Sequence, residues 1–495
     1  MTDVHDVIIV GSGPSGSAVA KVLIEAGIRP LVIDGGGQTS DLSRERQVRA
    51  RAGESFDGID PQFEATNPGQ KAWFGSSSPY EQQSSGIIYE DPIVARASYS
   101  RGGFSRVWGA TNDFFSDLGE WPSEVRPADQ DLNVVRELVP ASTTVWPSGD
   151  LEVEAGEVVG SARSLKAMHS LAEKDRGRRW KLTSSKVAIE SDPTRNNRCR
   201  HDGRCLSGCP FDSIWFSRDI VEEWSRKGLV AYRPGIVVRA WEEGDLAHLE
   251  VSDESGNCQR ISGRRIFFAA GAISTAALLI RSGIAEELKI QDTSTAFGAA
   301  IALRPQGPRG RPHHGLSQWW IRPAEGNEFM AQVYPPSDEH AHRLQAMLPG
   351  GRFLGGPARL AAERVHPIIS YLRSNDSDPL ILKKVGREVA VSGHTSARTK
   401  RTMSRHLNLL SRSLLSAGYF MPVIATEFSA PGTGYHFGSS LPQGEKSDTA
   451  GRPPGWNRIH VVDSSVLPAL TVGSITPTVM ANAARIARLT LGLAR

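Results

Sequence analysis

Three features of the sequence predict an α/β fold: an apolar strand and glycine turn at the start, a second apolar strand far along the chain, and between that strand and the C-terminal segment a region patterned for antiparallel strands. The first is Val7-Ile8-Ile9-Val10, followed by Gly11-Ser12-Gly13-Pro14-Ser15-Gly16. An unbroken apolar run suits a strand covered on both faces, as in parallel sheets. Ala18, Val19, Val22, Leu23 and Ala26 then recur at helical spacing, and Gly27 supplies a stop. Pro30-Leu31-Val32-Ile33 is the next strand and ends in Asp34. The second feature, Arg265-Ile266-Phe267-Phe268-Ala269-Ala270-Gly271-Ala272, is an apolar strand running into small residues. The third, Gly315 to Ile321 and Phe329 to Tyr334, reads as neighbouring strands separated by a turn-rich loop.

The glycines have a chemical reading. Gly11 permits a tight turn, Gly13 lets backbone approach a phosphate, and Gly16 lets the helix lie close to the strand. Ser15 sits in the first helical turn, where free N–H groups point at an anion. Asp34 lies about 20 residues further on, where an acid bonds ribose hydroxyls. The pattern predicts a dinucleotide site; by itself it does not choose between NAD and FAD.

The chain of 495 residues is long enough for about two domains. A formal charge of +3 gives no support to nucleic-acid binding. No run is long and apolar enough to span a bilayer, so no integral membrane segment is expected. The first apolar segment is the dinucleotide strand itself, so no signal peptide is expected either, and a cytoplasmic location is the default expectation.

Five stretches, in order, resemble the glucose–methanol–choline (GMC) oxidoreductase family. They are Gly11 to Gly16 with Asp34; Gly102-Gly103-Phe104-Ser105-Arg106-Val107-Trp108-Gly109; Ala269 to Ala272 followed by Leu278 to Gly283; Gly434-Tyr435-His436-Phe437-Gly438; and Asp463 to Pro468 with Pro477 to Ala483. The resemblance implies an FAD-binding Rossmann-like domain of the GMC and p-hydroxybenzoate-hydroxylase type, with an inserted α+β substrate domain carrying an antiparallel sheet. The FAD-binding domain would occupy residues 1–290, with a helical excursion near 125–185, and return at 434–495 with the catalytic histidine. Residues 291–433 would form the substrate domain. Gly11, Gly13, Ser15, Gly16, Asp34, Gly103, Ser105, Val107, Trp108, Ala270, Gly271, Asp463, Pro477 and Thr478 would hold the cofactor. Val107 stands where some pyranose-oxidising members carry a flavin-linked histidine, so the resemblance implies non-covalent FAD.

Oxidising an alcohol on flavin requires removal of the hydroxyl proton as hydride leaves carbon, a task suited to histidine. The resemblance makes His436 the base. The family usually places a second His or Asn just before the proline of its last helix; here Thr476 precedes Pro477, and a hydroxyl orients rather than deprotonates. The motif style is most similar to bacterial members acting on sugars, glycosides or aminoglycosides. It implies oxidation of a primary or secondary hydroxyl of such a metabolite to a carbonyl, with oxygen or another acceptor reoxidising the flavin. A sterol or lipid alcohol oxidase, and a flavin-binding protein without turnover, are the other readings.

Cys199, Cys205 and Cys209 with His201 are candidate ligands for zinc or an iron–sulfur site, but the spacing departs from paired C-x-x-C, Cys258 is remote, and no metal site is expected. Buried or redox-labile thiols are the expectation. Trp319, Trp320 and Tyr334, with His313 and His314 nearby, are either sugar-stacking or core aromatics. Pro305 to Pro312 reads as a surface loop. Arg398, Lys400, Arg401, Arg405 and Arg412 surround Leu407, Leu409, Leu410, Leu414 and Leu415, a basic amphipathic helix expected to cover its own domain; contact with a membrane surface or an acidic partner is the alternative.

Overall fold

The computed structural model describes residues 4–36, 41–52, 86–112, 118, 121–146, 153–206, 208–253, 255–307, 312–337 and 361–493. The strand Val4–Val10 forms where expected and occupies the middle of a seven-stranded sheet. Leu31–Asp34 and Cys258–Phe268 flank it in parallel. Ala231–Pro234 extends the sheet on one side and Ile459–Val461 pairs on the other, also in parallel. Leu246–Ser252 and Ile236–Glu243 complete it as antiparallel strands. Ile8, Ile9, Ile33, Phe267 and Phe268 are fully buried, the pattern that an unbroken apolar run predicts for strands covered on both faces. Helices Pro14–Glu25 and Thr476–Thr490 pack closely against each other, so the two ends of the chain close one core.

A second sheet is antiparallel throughout. Its order is Tyr419–Phe420, Thr295–Ala302, Val365–Leu372, Phe329–Val333, Trp319–Pro323 and Trp180–Ser184, with Glu427–Phe428 also pairing Thr295–Ala302. The hairpin expected around 315–334 is present, Trp319 opposite Val333 and Ile321 opposite Ala331. This sheet also draws in residues 180–184, from the excursion that the sequence reading attached to the first domain. The reason is packing: Trp180, Leu171 and Ala167 share a core with Trp319, Phe329, Leu407 and Leu414, and Trp180 Nε1 donates to Ser413 Oγ at 2.9 Å. The α/β fold with a second, antiparallel sheet is therefore the observed architecture.

A third sheet links the other two. Phe437–Gly438, Glu287–Asp292, Leu380–Val385, Glu388–Ser392 and Ile87–Tyr89 form it in that order. The segment after Asp292 enters the second sheet and the segment after Gly438 returns to the first, so His436 stands where the two meet. The basic helix is Ala397–Ser416; it buries Met403, Leu407, Leu410 and Leu414 and exposes Leu415. Of the surface loop expected at Pro305 to Pro312, residues 308–311 lie outside the described residues.

Candidate active site

At the N-terminal turn, Gly11 has φ +103°, and a Cβ there would lie 2.3 Å from the Ala269 carbonyl oxygen. A Cβ on Gly16 would fall 2.0 Å from the Gly11 carbonyl oxygen. These two glycines let helix, turn and neighbouring strand touch backbone to backbone. Gly13 differs: a Cβ there would meet nothing nearer than the Gly102 oxygen at 4.0 Å. It is the N-cap of helix Pro14–Glu25, no side chain caps that helix, and Gly13 faces open cavity. Uncapped helix N–H groups beside an open glycine suit the anionic pyrophosphate of a dinucleotide. Asp34, at the end of the next strand, accepts from Ser12 Oγ, from Tyr232 Oη and from the Gly36 N–H at 2.9 Å. Ser12 Oγ in turn accepts from Gly102 N at 2.8 Å, which ties the second glycine stretch to the first.

That second stretch is a single tight turn. Gly102 has φ +81°, Gly103–Arg106 forms a short 3-10 helix, and Ser105 Oγ donates to the Gly102 carbonyl at 2.6 Å. Ser217 braces it: its N–H donates to Ser105 Oγ at 3.1 Å and its hydroxyl to the Ser12 carbonyl at 2.7 Å. Asp463 plays a comparable part at the other helix. Its carboxylate accepts from Gly271 N at 3.0 Å and Thr275 Oγ1 at 2.5 Å, at the start of Ala272–Arg281, and from Ser465 N at 2.9 Å. Burial pushes its pKa up, against these hydrogen bonds.

His436 is held by its backbone. Its carbonyl accepts from the Thr293 N–H at 3.2 Å and from Thr293 Oγ1 at 3.1 Å. Asp292, fully buried, accepts from Thr293 N at 2.9 Å and from Gly432 N at 2.7 Å, so one carboxylate pins both the strand end and the loop carrying the histidine. Gly434 and Gly438 allow the close fit: Cβ atoms there would lie 2.7 Å from Thr295 Cγ2 and 2.3 Å from the Ser464 carbonyl oxygen. The imidazole lies over Tyr371 with centroids 5.1 Å apart and planes 24° apart. Its Nδ1 is buried with no hydrogen-bond partner. Desolvation lowers its pKa to about 4, so it is neutral at pH 7. Asp292 shows the converse: burial raises its pKa to about 7.

One cavity of about 2070 Å³ connects these parts. Gly11, Gly13, Ser15, Asp34, Gly103, Ser105, Val107, Trp108, Ala270, Gly271, Asp463, His436 and Thr476 all line it. Gly16, Pro477 and Thr478 do not: Gly16 lies behind the turn, and Pro477 and Thr478 are buried in the first turn of the last helix, whose start at Thr476 suits Pro477. Among the aromatics weighed for substrate stacking, Trp319 and Trp320 are core residues, 1 % exposed and outside the cavity. Tyr334 and His313 do reach the wall, whereas His314 is fully buried and bonds Thr144 Oγ1 at 3.0 Å through Nε2.

The cysteine loop packs against the 312–318 segment. Cys199, Cys205 and Cys209 sulfurs accept backbone N–H groups from His201, Gly315 and Ser213 at 3.4, 3.3 and 3.4 Å. Burial raises all three thiols, Cys199 to about 12, so they are protonated and unreactive at neutral pH. Among the described residues no group of three His, Cys, Asp or Glu is arranged to hold a metal ion.

Sequence reasoning missed Ser12, Tyr232, Asp292, Thr293 and Tyr371. Ser12 carried a signal, lying inside the glycine turn. Asp292 and Tyr371 carried none, because their roles depend on which strands become neighbours.

Residues 4–72 match the family model described as FAD binding domain. The fold is similar to the crystal structure of pyridoxine 4-oxidase from Mesorbium loti, with a TM-score of 0.57 over 99 % of this chain and 100 % of that one, at 16 % identity. No curated protein sequence matches the chain. The glycine turn that leaves Gly13 open and the match over it lead to one conclusion: this chain carries an FAD-binding domain.

Proposed function

We propose that the protein is an FAD-dependent oxidoreductase of the GMC family that oxidises a primary or secondary hydroxyl to a carbonyl, with His436 as the base. The observation that carries this reading is the neutral, desolvated imidazole of His436 in the wall of the cavity that begins at the glycine turn. FAD, when bound, accepts the hydride at its flavin N5. Gly13 and the uncapped helix would hold the pyrophosphate, Asp34 the ribose, and the Gly103 to Trp108 turn would back the flavin ring. Val107 offers no nucleophile, which supports non-covalent binding.

His436 removes the substrate hydroxyl proton. The desolvation that keeps the ring neutral also disfavours imidazolium, so the ring takes the hydroxyl proton only as hydride leaves the carbon that bears that hydroxyl. Tyr371 fixes the ring plane, and Thr293 and Asp292 fix its backbone. Thr476, also on the wall, hydrogen-bonds the substrate oxygen but is no base. Gln332, Tyr334, His313 and the Arg163–Glu363 pair, which line the same cavity, support a polar, polyhydroxylated substrate of the sugar or glycoside class.

The test is anaerobic mixing of the FAD-loaded protein with sugars, glycosides, aminoglycosides, pyridoxine and sterols, followed by flavin absorbance. Bleaching by a sugar-class alcohol is the expected result. Bleaching by sterols alone would overturn the substrate class, and a flavin that no alcohol bleaches would overturn the enzymatic reading.

A further inference from the structure

We propose that this protein docks on an anionic lipid surface through one end of its second sheet, independently of the chemistry proposed above. Helix Ala397–Ser416 carries Arg398, Arg401, Arg405 and Arg412 on one face, with Asn408 between the last two, and Leu415 continues the row. The four arginines and Leu415 are exposed. The row from Arg398 to Arg412 runs about 21 Å along the helix axis. The helix is amphipathic, since the opposite face buries Met403, Leu407, Leu410 and Leu414 in the second core.

The row ends beside an apolar projection. Leu415 is 54 % exposed, Phe420 46 % and Leu303 54 %. The strand pairing sets Phe420 opposite Ile301, and Leu303 N donates to the Gly418 carbonyl at 3.0 Å, so Phe420 and Leu303 belong to one edge; Gly418 N donates to the Leu415 carbonyl at 3.0 Å, which brings the end of the helix to it. Ile424 is fully exposed on the single 3-10 turn Val423–Ala425, and Ser411 Oγ ties that segment to the helix through the Met421 carbonyl at 2.7 Å.

Charge and shape together select the occupant. A row of arginines complements phosphate headgroups, and apolar tips projecting beyond it can enter the acyl boundary. The carboxylates nearby are Asp376, 3.8 Å from Arg398, Asp378, which accepts the Ser396 N–H ahead of the helix, Glu328 beside His406, and exposed Glu427, so the excess of positive charge rests on Arg401, Arg405 and Arg412. A side chain as fully exposed as Ile424 gains contact from a deformable layer, whereas a rigid protein partner would need a matching pocket. Pro422, Ala425 and Glu427, on either side of Ile424, line the cavity, so the docked protein would present its cavity mouth to the lipid.

The experiment is sedimentation of the FAD-loaded protein with phosphatidylcholine vesicles, with and without a third of phosphatidylglycerol, at low and high salt. Binding to the anionic vesicles alone, weakened by salt, is expected. Replacing three arginines together (Arg401→Gln, Arg405→Gln, Arg412→Gln) should lower partitioning about a hundredfold, at roughly fivefold per charge. The pair Phe420→Ser and Ile424→Ser should lower it at least about tenfold. Arg195→Gln, on another exposed segment, should change nothing. Flavin absorbance and melting temperature verify that each variant is folded. Absence of binding, equal binding to both vesicle types, or binding unaffected by the variants would each overturn the proposal. So would a concentration-dependent self-association that these variants abolish, since the face would then join two copies of the chain.

Discussion

The glycine turn and the His436 loop solve the same problem, close approach of backbone from distant parts of the chain, but differ in what their side chains are left to bind. At the turn, Gly11 fits against Ala269 and Gly16 against Gly11, and the polar groups of Ser12 and Asp34 have partners inside the described protein. At the loop, Gly434 and Gly438 fit against Thr295 and Ser464, more than twenty residues away in either direction. There His436 Nδ1 and Thr295 Oγ1 are buried without partners among the described residues. Each such atom costs about 1–3 kcal/mol when desolvated. The contrast is between a turn whose Ser12 and Asp34 are already paired and a loop whose imidazole, in the cavity wall, keeps a nitrogen without a protein partner.

The largest effects should separate the two kinds of glycine within the turn. Gly11→Ala forces a side chain onto φ +103° and against the Ala269 oxygen, several kcal/mol in all, and should yield little soluble protein. Gly13→Ala meets no such clash and sits at an ordinary φ of −66°. Its methyl enters only the proposed pyrophosphate space. The expected product folds with a near-normal melting temperature yet holds FAD at least about tenfold more weakly. If both variants lost folding alike, the division between packing glycine and ligand glycine would be wrong.

His436→Ala should slow flavin reduction by substrate by about 10²–10⁴-fold while leaving FAD bound. Stopped-flow reduction under anaerobic conditions checks this, and a rate within threefold of wild type would remove His436 from the base role. The pH profile adds a sign. The reactive form is neutral imidazole, so the wild-type rate should keep a limb that falls only as pH drops through about 4.

A second, shallower limb should belong to Asp292. Both its oxygens accept backbone N–H groups, and protonation, on lowering the pH through about 7, sets an O–H against one of those donors. Asp292→Asn imitates the protonated state permanently, because its amide presents N–H where an acceptor is needed. The expected loss is about tenfold in reduction rate, with the limb near pH 7 gone and the limb near pH 4 kept. Stability runs the other way. A raised carboxyl pKa means stability that is full below the ordinary value of 3.8 and lost as pH rises through about 7. The melting temperature of Asp292→Asn at pH 8 should therefore change little, the removed buried charge offsetting the lost hydrogen bond. A large drop in melting temperature with an unaltered profile would make Asp292 purely structural.

Reach along the chain explains how much could be read from the sequence. The strand Val4–Val10, its glycines, Asp34 and the parallel sheet follow from apolar runs and turn chemistry within about thirty residues. The hairpin at 319–333 and the basic helix were legible for the same reason, as local periodicity. Trp319 and Trp320 were ambiguous because an aromatic in a strand looks alike whether it faces a core or a cavity; Trp319 packs under the helix, and Trp320, on the other face, packs with Met330 and Tyr371. Tyr371 stacks on His436 only because strand Val365–Leu372 pairs with Thr295–Ala302, and nothing within either strand announces it.

The smallest expected effect falls on the position where this chain departs from the pattern it resembles. Thr476 opens the last helix and lines the cavity, yet its hydroxyl holds the proton too tightly to act as a base. If it only orients the substrate hydroxyl, Thr476→Ala removes one neutral hydrogen bond, worth about 1 kcal/mol, and kcat/KM should fall about fivefold. The loss should be the same at every pH, because no titrating group is removed. His436→Ala and the double variant should then differ by that same small factor. A loss at Thr476 as large as that at His436, or one that grows toward low pH, would mean that the two residues work as a pair in proton transfer, and that the last helix contributes to the chemistry what the glycine loop was thought to supply alone.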